Sequence, residues 1–215
     1  MAADKKFTNL VNENKEFEIL SDGSMAAFDT DPVLHHRPGK DPFNPMDIGG
    51  VYLGDEFLEI QTKNQKLLSL VIDIGSTTIS ASLVDNKKGV EIAHKSGLNP
   101  QRRYGDDVIS RTTFVIENEE GLDILQELVL EQIKSLAEEL IEENSYELTD
   151  LYAIFVASNA IMNHILLGLS PVALARSPYQ LQFTGKKYLD FSDSGMKAFG
   201  KGKLVAVPNI TAFVG

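Results

Sequence analysis

Residues 73–78, which read Asp-Ile-Gly-Ser-Thr-Thr, place a carboxylate, a glycine and three hydroxyl groups in one short segment. An apolar run precedes this segment and an alternating run follows it, which predicts a β-hairpin with the polar residues in its turn. N–H groups of such a turn can bind an anion, and hydroxyl groups can donate to phosphate oxygens. A carboxylate there can hold Mg²⁺ through water molecules, because magnesium keeps part of its hydration shell.

We therefore interpret the turn as a candidate site for a nucleotide phosphate and its magnesium ion, with an ordinary hairpin turn as the alternative. The candidate metal ligand is Asp73. The candidate phosphate-binding residues are Gly75, Ser76, Thr77 and Thr78.

The elements that must position this turn have the pattern of a mixed α/β domain from residue 66 onward. Hydrophobic periodicity predicts three strands at 67–74, 78–85 and 89–96 and helical spacing over 104–116. Apolar residues from Leu122 to Leu140 mark one face of a further helix of about six turns, roughly 22 residues. The pattern then predicts a strand at 151–157, short helices at 160–167 and 170–175, irregular structure over 177–202, and a last strand at 204–208. This order predicts a mixed sheet with helices packed on it.

Residues 1–64 differ in composition from the rest of the chain. The stretch 29–55 is dense in Pro, Gly and Asp, which excludes a long helix or a central strand. Short strands are expected at 16–20 and 56–60. We expect residues 1–64 to form an irregular N-terminal extension or linker, and residues 65–215 to form one domain.

Composition excludes several classes of protein. A run of 18 apolar residues and a secretory h-region are both absent, which favours a cytoplasmic protein without a membrane-spanning helix. The 215 residues contain no cysteine, so we expect no iron–sulfur cluster in them. Residues 117–147 hold 11 acidic residues and one basic residue, and the net charge of −11 argues against nucleic-acid binding. The acidic block predicts a solvated helix face, with a docking face for a basic partner as the alternative.

A glycine-containing turn at the first hairpin of such a unit resembles the actin, sugar-kinase and heat-shock-chaperone ATPase superfamily. Asp73-Ile74-Gly75-Ser76-Thr77 matches the superfamily's phosphate-1 motif, Asp-x-Gly-[Ser/Thr]-[Ser/Thr]. The resemblance implies a ribonuclease H-like β-β-β-α-β-α-β mixed sheet, which is one lobe of an actin-like ATPase.

Three later segments resemble one branch of that superfamily, the reductive activators of corrinoid proteins. These segments are Asn99–Arg111, Asn159–Pro171 and Pro208–Gly215. The resemblance implies an ATP-dependent activator that returns an inactive Co(II) corrinoid protein of a methyltransferase system to Co(I). It also implies ATP and Mg²⁺ as cofactors, bound by the turn at residues 73–78. Asp106 or Asp107 would position the attacking water as the candidate catalytic residue, with helix capping as the alternative.

The chain also departs from the family pattern. Family members usually begin with a [2Fe–2S] domain, and the absence of cysteine excludes one here. The family's Gly-Asn-Thr-Thr reads Ser158-Asn159-Ala160-Ile161, so two hydroxyl donors are missing. The sequence stops where the phosphate-2 motif of a second lobe is expected, which predicts half of a nucleotide site and a possible homodimer. The alternative is a non-enzymatic partner-binding or dimerising module that has lost ATPase activity.

Two further groups have alternative interpretations. Arg102, Arg103 and Arg111 could contact phosphate or a partner, but charged surface residues are the simpler interpretation. His164 lies in a short apolar helix, where a partly buried histidine with satisfied hydrogen bonds is a better prediction than a metal ligand.

Overall fold

The computed structural model describes residues 34–37, 50–54, 56–60 and 65–209. The strand predicted at 16–20 lies outside these residues. So does most of the last family segment, from residue 210 onward.

A six-stranded mixed sheet forms the centre of the chain, with the strand order β6-β5-β4-β7-β9-β8. Its strands are β4 (Leu68–Ile74), β5 (Thr78–Asp85), β6 (Val90–Leu98), β7 (Leu151–Ser158), β8 (Lys187–Asp190) and β9 (Lys203–Ala206). The first three form an antiparallel meander. β4, β7 and β9 run parallel to one another, which places their carboxyl ends at the same edge of the sheet.

Five of these six strands agree with the predicted strands to within a few residues. The alternation in β5 shows the reason, since its residues are alternately buried and more exposed along the strand. The prediction of irregular structure over 177–202 is wrong at β8. This strand has only four residues and pairs antiparallel with β9 at the edge of the sheet, so its sequence carries little periodicity.

Helices α1 (Val108–Glu117), α2 (Gly121–Glu143) and α3 (Ala160–Leu166) lie between the parallel strands in the sequence. The buried face of α2 includes the apolar residues Leu125, Val129, Ile133, Leu136 and Leu140, as their spacing predicts. The helical segment predicted over 104–116 corresponds to α1, which begins at Val108, and a separate 3₁₀ turn at Pro100–Tyr104 precedes it. Asn159 caps α3, and Gly168 follows that helix with a φ angle of 66°.

A second, smaller sheet precedes the main sheet and consists of β1 (Leu34–Arg37), β2 (Gly50–Leu53) and β3 (Glu56–Ile60) in antiparallel order. The strand predicted at 56–60 is confirmed, whereas β1 and β2 were not predicted. Both have four residues, and the prolines at 38, 42 and 45 lie between them. The proline-rich stretch therefore excludes a long element but permits short flanking strands.

The small sheet packs against the main sheet through its own apolar cluster. This cluster includes Val51 and Leu58 of the small sheet and Val205 of β9. The Tyr152 hydroxyl contacts the carboxylate of Glu59 across the same junction. At least part of the predicted N-terminal extension is thus ordered by contact with the main domain.

In the part of the chain that the structure describes, no helix combines the length and the apolar character that crossing a bilayer requires.

Candidate functional site

The predicted hairpin turn joins β4 to β5. Asp73 is the penultimate residue of β4, and the N–H of Gly75 donates to the carbonyl of Thr78 at 2.9 Å. The residues at 73, 77 and 78 are exposed, so their side chains are accessible from solvent. A Cβ added at Gly75 would lie 3.0 Å from the Thr78 carbonyl oxygen, which explains the absence of a side chain at this position.

Three consecutive carbonyl groups of the turn accept hydrogen bonds from one supporting segment. The side-chain amide of Asn99 donates to the carbonyl of Gly75 at 2.9 Å, and its backbone N–H donates to the carbonyl of Thr77 at 2.8 Å. The guanidinium of Arg111 donates to the carbonyl of Ser76. The backbone of the turn is therefore fixed by contacts from residues distant in sequence.

This anchoring sets the direction of the turn's N–H groups. The peptide bonds at the turn are trans, so the N–H of each following residue points opposite to the anchored carbonyl. The N–H groups of Ser76 and Thr77 thus point away from Asn99 and Arg111, and within the described residues neither has an acceptor. Two adjacent N–H groups without acceptors, beside exposed hydroxyl groups and a carboxylate, fit a phosphate with its magnesium ion.

The same edge of the sheet carries a buried polar chain. Ser158 at the end of β7 is in register with Ile74 of β4, immediately before the turn. The Ser158 hydroxyl donates to Oδ1 of Asn163 at 2.7 Å, and Nδ2 of Asn163 donates to Oδ1 of Asn209 at 2.7 Å. This chain connects the carboxyl end of β7 to α3 and to the segment after β9. It stabilises the edge of the sheet on which the turn lies.

Asp107 caps helix α1. Its carboxylate accepts from the N–H of Ser110 at 2.7 Å and from the Ser110 hydroxyl at 2.9 Å. These hydrogen bonds lower the pKa of Asp107 below its ordinary value, which makes its carboxylate a weaker base. Asp106 is 85% exposed and forms an ion pair with Arg102 at 3.5 Å. The capping interpretation therefore describes Asp107, and a catalytic role for either aspartate stays a prediction.

The interpretation of Arg111 as a surface charge is wrong. Arg111 is 0% exposed, and its guanidinium donates to the Ser76 carbonyl of the turn and to the Gly105 carbonyl. The role of Asn99 as a support for the turn was also missed. Both residues belong to the family segment Asn99–Arg111, and that segment was the only sequence feature that pointed to them. A motif does not specify which groups its side chains contact, so their support of the turn could not be predicted from it.

His164 is a buried structural residue, which confirms the prediction of satisfied hydrogen bonds. Nδ1–H of its ring donates to the carbonyl of Ala160 at 2.7 Å, and Nε2 accepts from the N–H of Gln182 at 3.3 Å. Burial lowers the pKa of His164 below its ordinary value, since the charged ring would lose its hydration. The imidazole is therefore neutral and holds α3 to the segment at residue 182.

This burial predicts a pH dependence of stability. In the unfolded chain His164 binds a proton near pH 6.5, whereas the folded chain binds it only at lower pH, so the free energy of unfolding falls as the pH drops below 6.5. We expect a slope of up to about 1.4 kcal/mol per pH unit between pH 6.5 and 5.5 in urea unfolding. The variant His164→Gln should lose this slope. Parallel stability curves for the two proteins would contradict the assignment.

Comparisons with known proteins agree with the family resemblance that the sequence motifs indicate. The family model described as the RACo middle region matches residues 68–215. The chain is 27% identical over 160 residues to the corrinoid activation enzyme RamQ of Eubacterium limosum, an alignment that covers 74% of this chain and 27% of that protein.

A solved structure of a reductive activator for a corrinoid iron–sulfur protein superposes with a TM-score of 0.73 and 32% identity. The superposition covers 78% of this chain and 27% of that one. The chain thus spans about a quarter of the length of both relatives. Since the family model covers all of the main sheet and the candidate turn, the chain belongs to the RACo middle region family.

Proposed function

We propose that this chain supplies the phosphate-1 half of a Mg²⁺–ATP site in an ATP-dependent activator of a corrinoid protein. The observation that carries the proposal is the pair of N–H groups at Ser76 and Thr77, fixed by Asn99 and Arg111 and pointing away from them. Family membership supports the proposal independently, because it rests on the whole of residues 68–215.

Each residue of the turn has a separate proposed role. The N–H groups and hydroxyl groups of Ser76 and Thr77 bind phosphate oxygens, and Thr78 adds a third hydroxyl. Asp73, exposed beside them, orients the water molecules of the magnesium ion. Asp106 is the better candidate for positioning the attacking water, since the Asp107 carboxylate is already engaged by Ser110.

The order of the main sheet supports the actin-like assignment of the lobe. Three antiparallel strands are followed by parallel strands joined through helices, which is the arrangement that the superfamily resemblance predicts. We propose residues 65–215 as this lobe. The complementary half of the nucleotide site would come from a second lobe or from a second copy of the chain.

The proposed partner is a corrinoid protein, because both relatives are named as activators of corrinoid systems. Binding and hydrolysis of Mg²⁺–ATP would supply the free energy for the uphill one-electron reduction of Co(II) to Co(I). The 215 residues contain no cysteine, so a donor outside them would provide the electron through a cluster or another carrier. The contribution of this chain is to bind and orient the phosphates.

The test is a calorimetric titration of the chain with Mg²⁺–ATP and, separately, with magnesium tripolyphosphate. We expect saturable binding of both ligands, since the proposed contacts are to the phosphates. If neither ligand shows saturable binding up to about 10 mM, the proposal is overturned. A dissociation constant of about 1 mM already corresponds to a binding free energy of only about −4.1 kcal/mol.

A further inference from the structure

Arg111 combines complete burial with a permanent positive charge. It is 0% exposed and is the largest of the fully buried side chains in the described residues. Its Nε–H donates to the carbonyl of Gly105 at 3.0 Å, and one terminal nitrogen lies 3.3 Å from Oε1 of Gln101. The other terminal nitrogen donates to the carbonyl of Ser76 in the turn.

None of these partners carries a negative charge. Within the described ranges, Arg111 forms no ion pair with a carboxylate, and Asp106 and Asp107 act on it only at longer range. Burial lowers the pKa of the guanidinium, although an arginine in a protein stays protonated. A buried charge without a counter-charge is costly, and such groups are normally paired.

We propose that Arg111 is the positioning residue that makes the turn at residues 73–78 electrostatically positive, and that its missing counter-charge is the phosphate group bound there. The Ser76 carbonyl connects the two, because it accepts from Arg111 on one side while the N–H of Thr77 faces the opposite side. This inference rests on the proposed function and adds to it the source of the charge.

The contact pattern favours arginine over lysine at this position. The guanidinium bonds three oxygen atoms in different directions, and a lysine ammonium would keep the charge but match fewer of them. Two variants therefore distinguish the effect of the charge from the effect of the hydrogen-bond geometry. Arg111→Lys keeps the charge, whereas Arg111→Met removes it with a side chain of similar length.

The experiment titrates magnesium tripolyphosphate into the full chain and its variants, measured by calorimetry. Arg111→Met should weaken binding at least roughly 10-fold, because a buried charge is weakly screened and acts on the phosphate across the Ser76 carbonyl. Arg111→Lys should recover a substantial part of that loss. The matched control is Arg103→Met, an exposed arginine of the same segment, which should bind as the wild type does.

The outcomes separate this inference from the proposed function. No binding by the wild type overturns both. Wild-type binding with equal affinity in Arg111→Met, or Arg111→Lys as weak as Arg111→Met, overturns the charge role of Arg111 alone.

A second measurement on the wild type covers the case in which the methionine variant does not fold. The Nε–H resonance of Arg111 should shift with tripolyphosphate at the same midpoint as the calorimetric binding. An unmoved Nε–H resonance at saturation would show that the guanidinium does not respond to the anion, and would overturn the inference.

Discussion

Replacement of Asp73 by alanine should reduce the affinity for Mg²⁺–ATP by about 10- to 100-fold, the range seen when a group that orients metal ligands is lost. Asp73 is exposed at the carboxyl end of β4, beside N–H groups that have no acceptor in the described residues. Its proposed role is to hold the hydrated magnesium ion, so tripolyphosphate without magnesium should bind the variant nearly as well as the wild type. Calorimetry with and without Mg²⁺ measures the difference.

Two further variants make this result specific. Asp73→Asn keeps the shape of the side chain but removes its charge, and should behave as Asp73→Ala does in the presence of Mg²⁺. Asp123→Ala removes an exposed carboxylate from the first turn of α2 and should leave the affinity unchanged. Unaltered magnesium dependence in both Asp73 variants would refute the role of this carboxylate.

Replacement of Gly202 by alanine should cause the largest loss of stability among alanine substitutions at the glycines that the structure describes. A Cβ at this position would lie 2.2 Å from the ring of Phe191 and 2.5 Å from the carbonyl oxygen of Tyr152. Phe191 is 0% exposed and cannot turn away, and the carbonyl belongs to the backbone of β7. We expect a loss of about 3 kcal/mol or more in the free energy of unfolding, measured by urea denaturation.

The control for this variant is Gly89→Ala. Gly89 has a φ angle of 66°, and a Cβ there would contact no atom within 4 Å, so the expected cost is only the backbone strain of about 1 kcal/mol. Equal denaturation midpoints for the two variants would show that β9 can shift away from β7, against the close packing described here.

The strands and helices with long periodic patterns could be predicted from the sequence. Such patterns occur where one face of an element is buried along its whole length, as in β4, β5, β7 and α2. The four-residue strands β1, β2 and β8 could not be predicted, since four residues give at most two alternations. Their pairing depends on neighbouring strands rather than on their own composition.

Some residues of the candidate site could likewise be predicted from the sequence, and others could not. The residues of the turn itself could be identified, because a carboxylate, a glycine and three hydroxyl groups adjoin one another in the sequence. Its support could not be identified from spacing. Asn99 contacts Gly75 across 24 positions, and Arg111 contacts Ser76 across 35 positions, so both contacts exist only in the folded chain.

The central claim is that the turn at residues 73–78 binds phosphate through its backbone N–H groups. The most direct measurement is an amide ¹H–¹⁵N titration of the ¹⁵N-labelled chain with Mg²⁺–ATP. The account predicts that the resonances of Ser76 and Thr77 show the largest shifts and share one saturation curve. Saturable binding that moves amides elsewhere and leaves these two unchanged would contradict it.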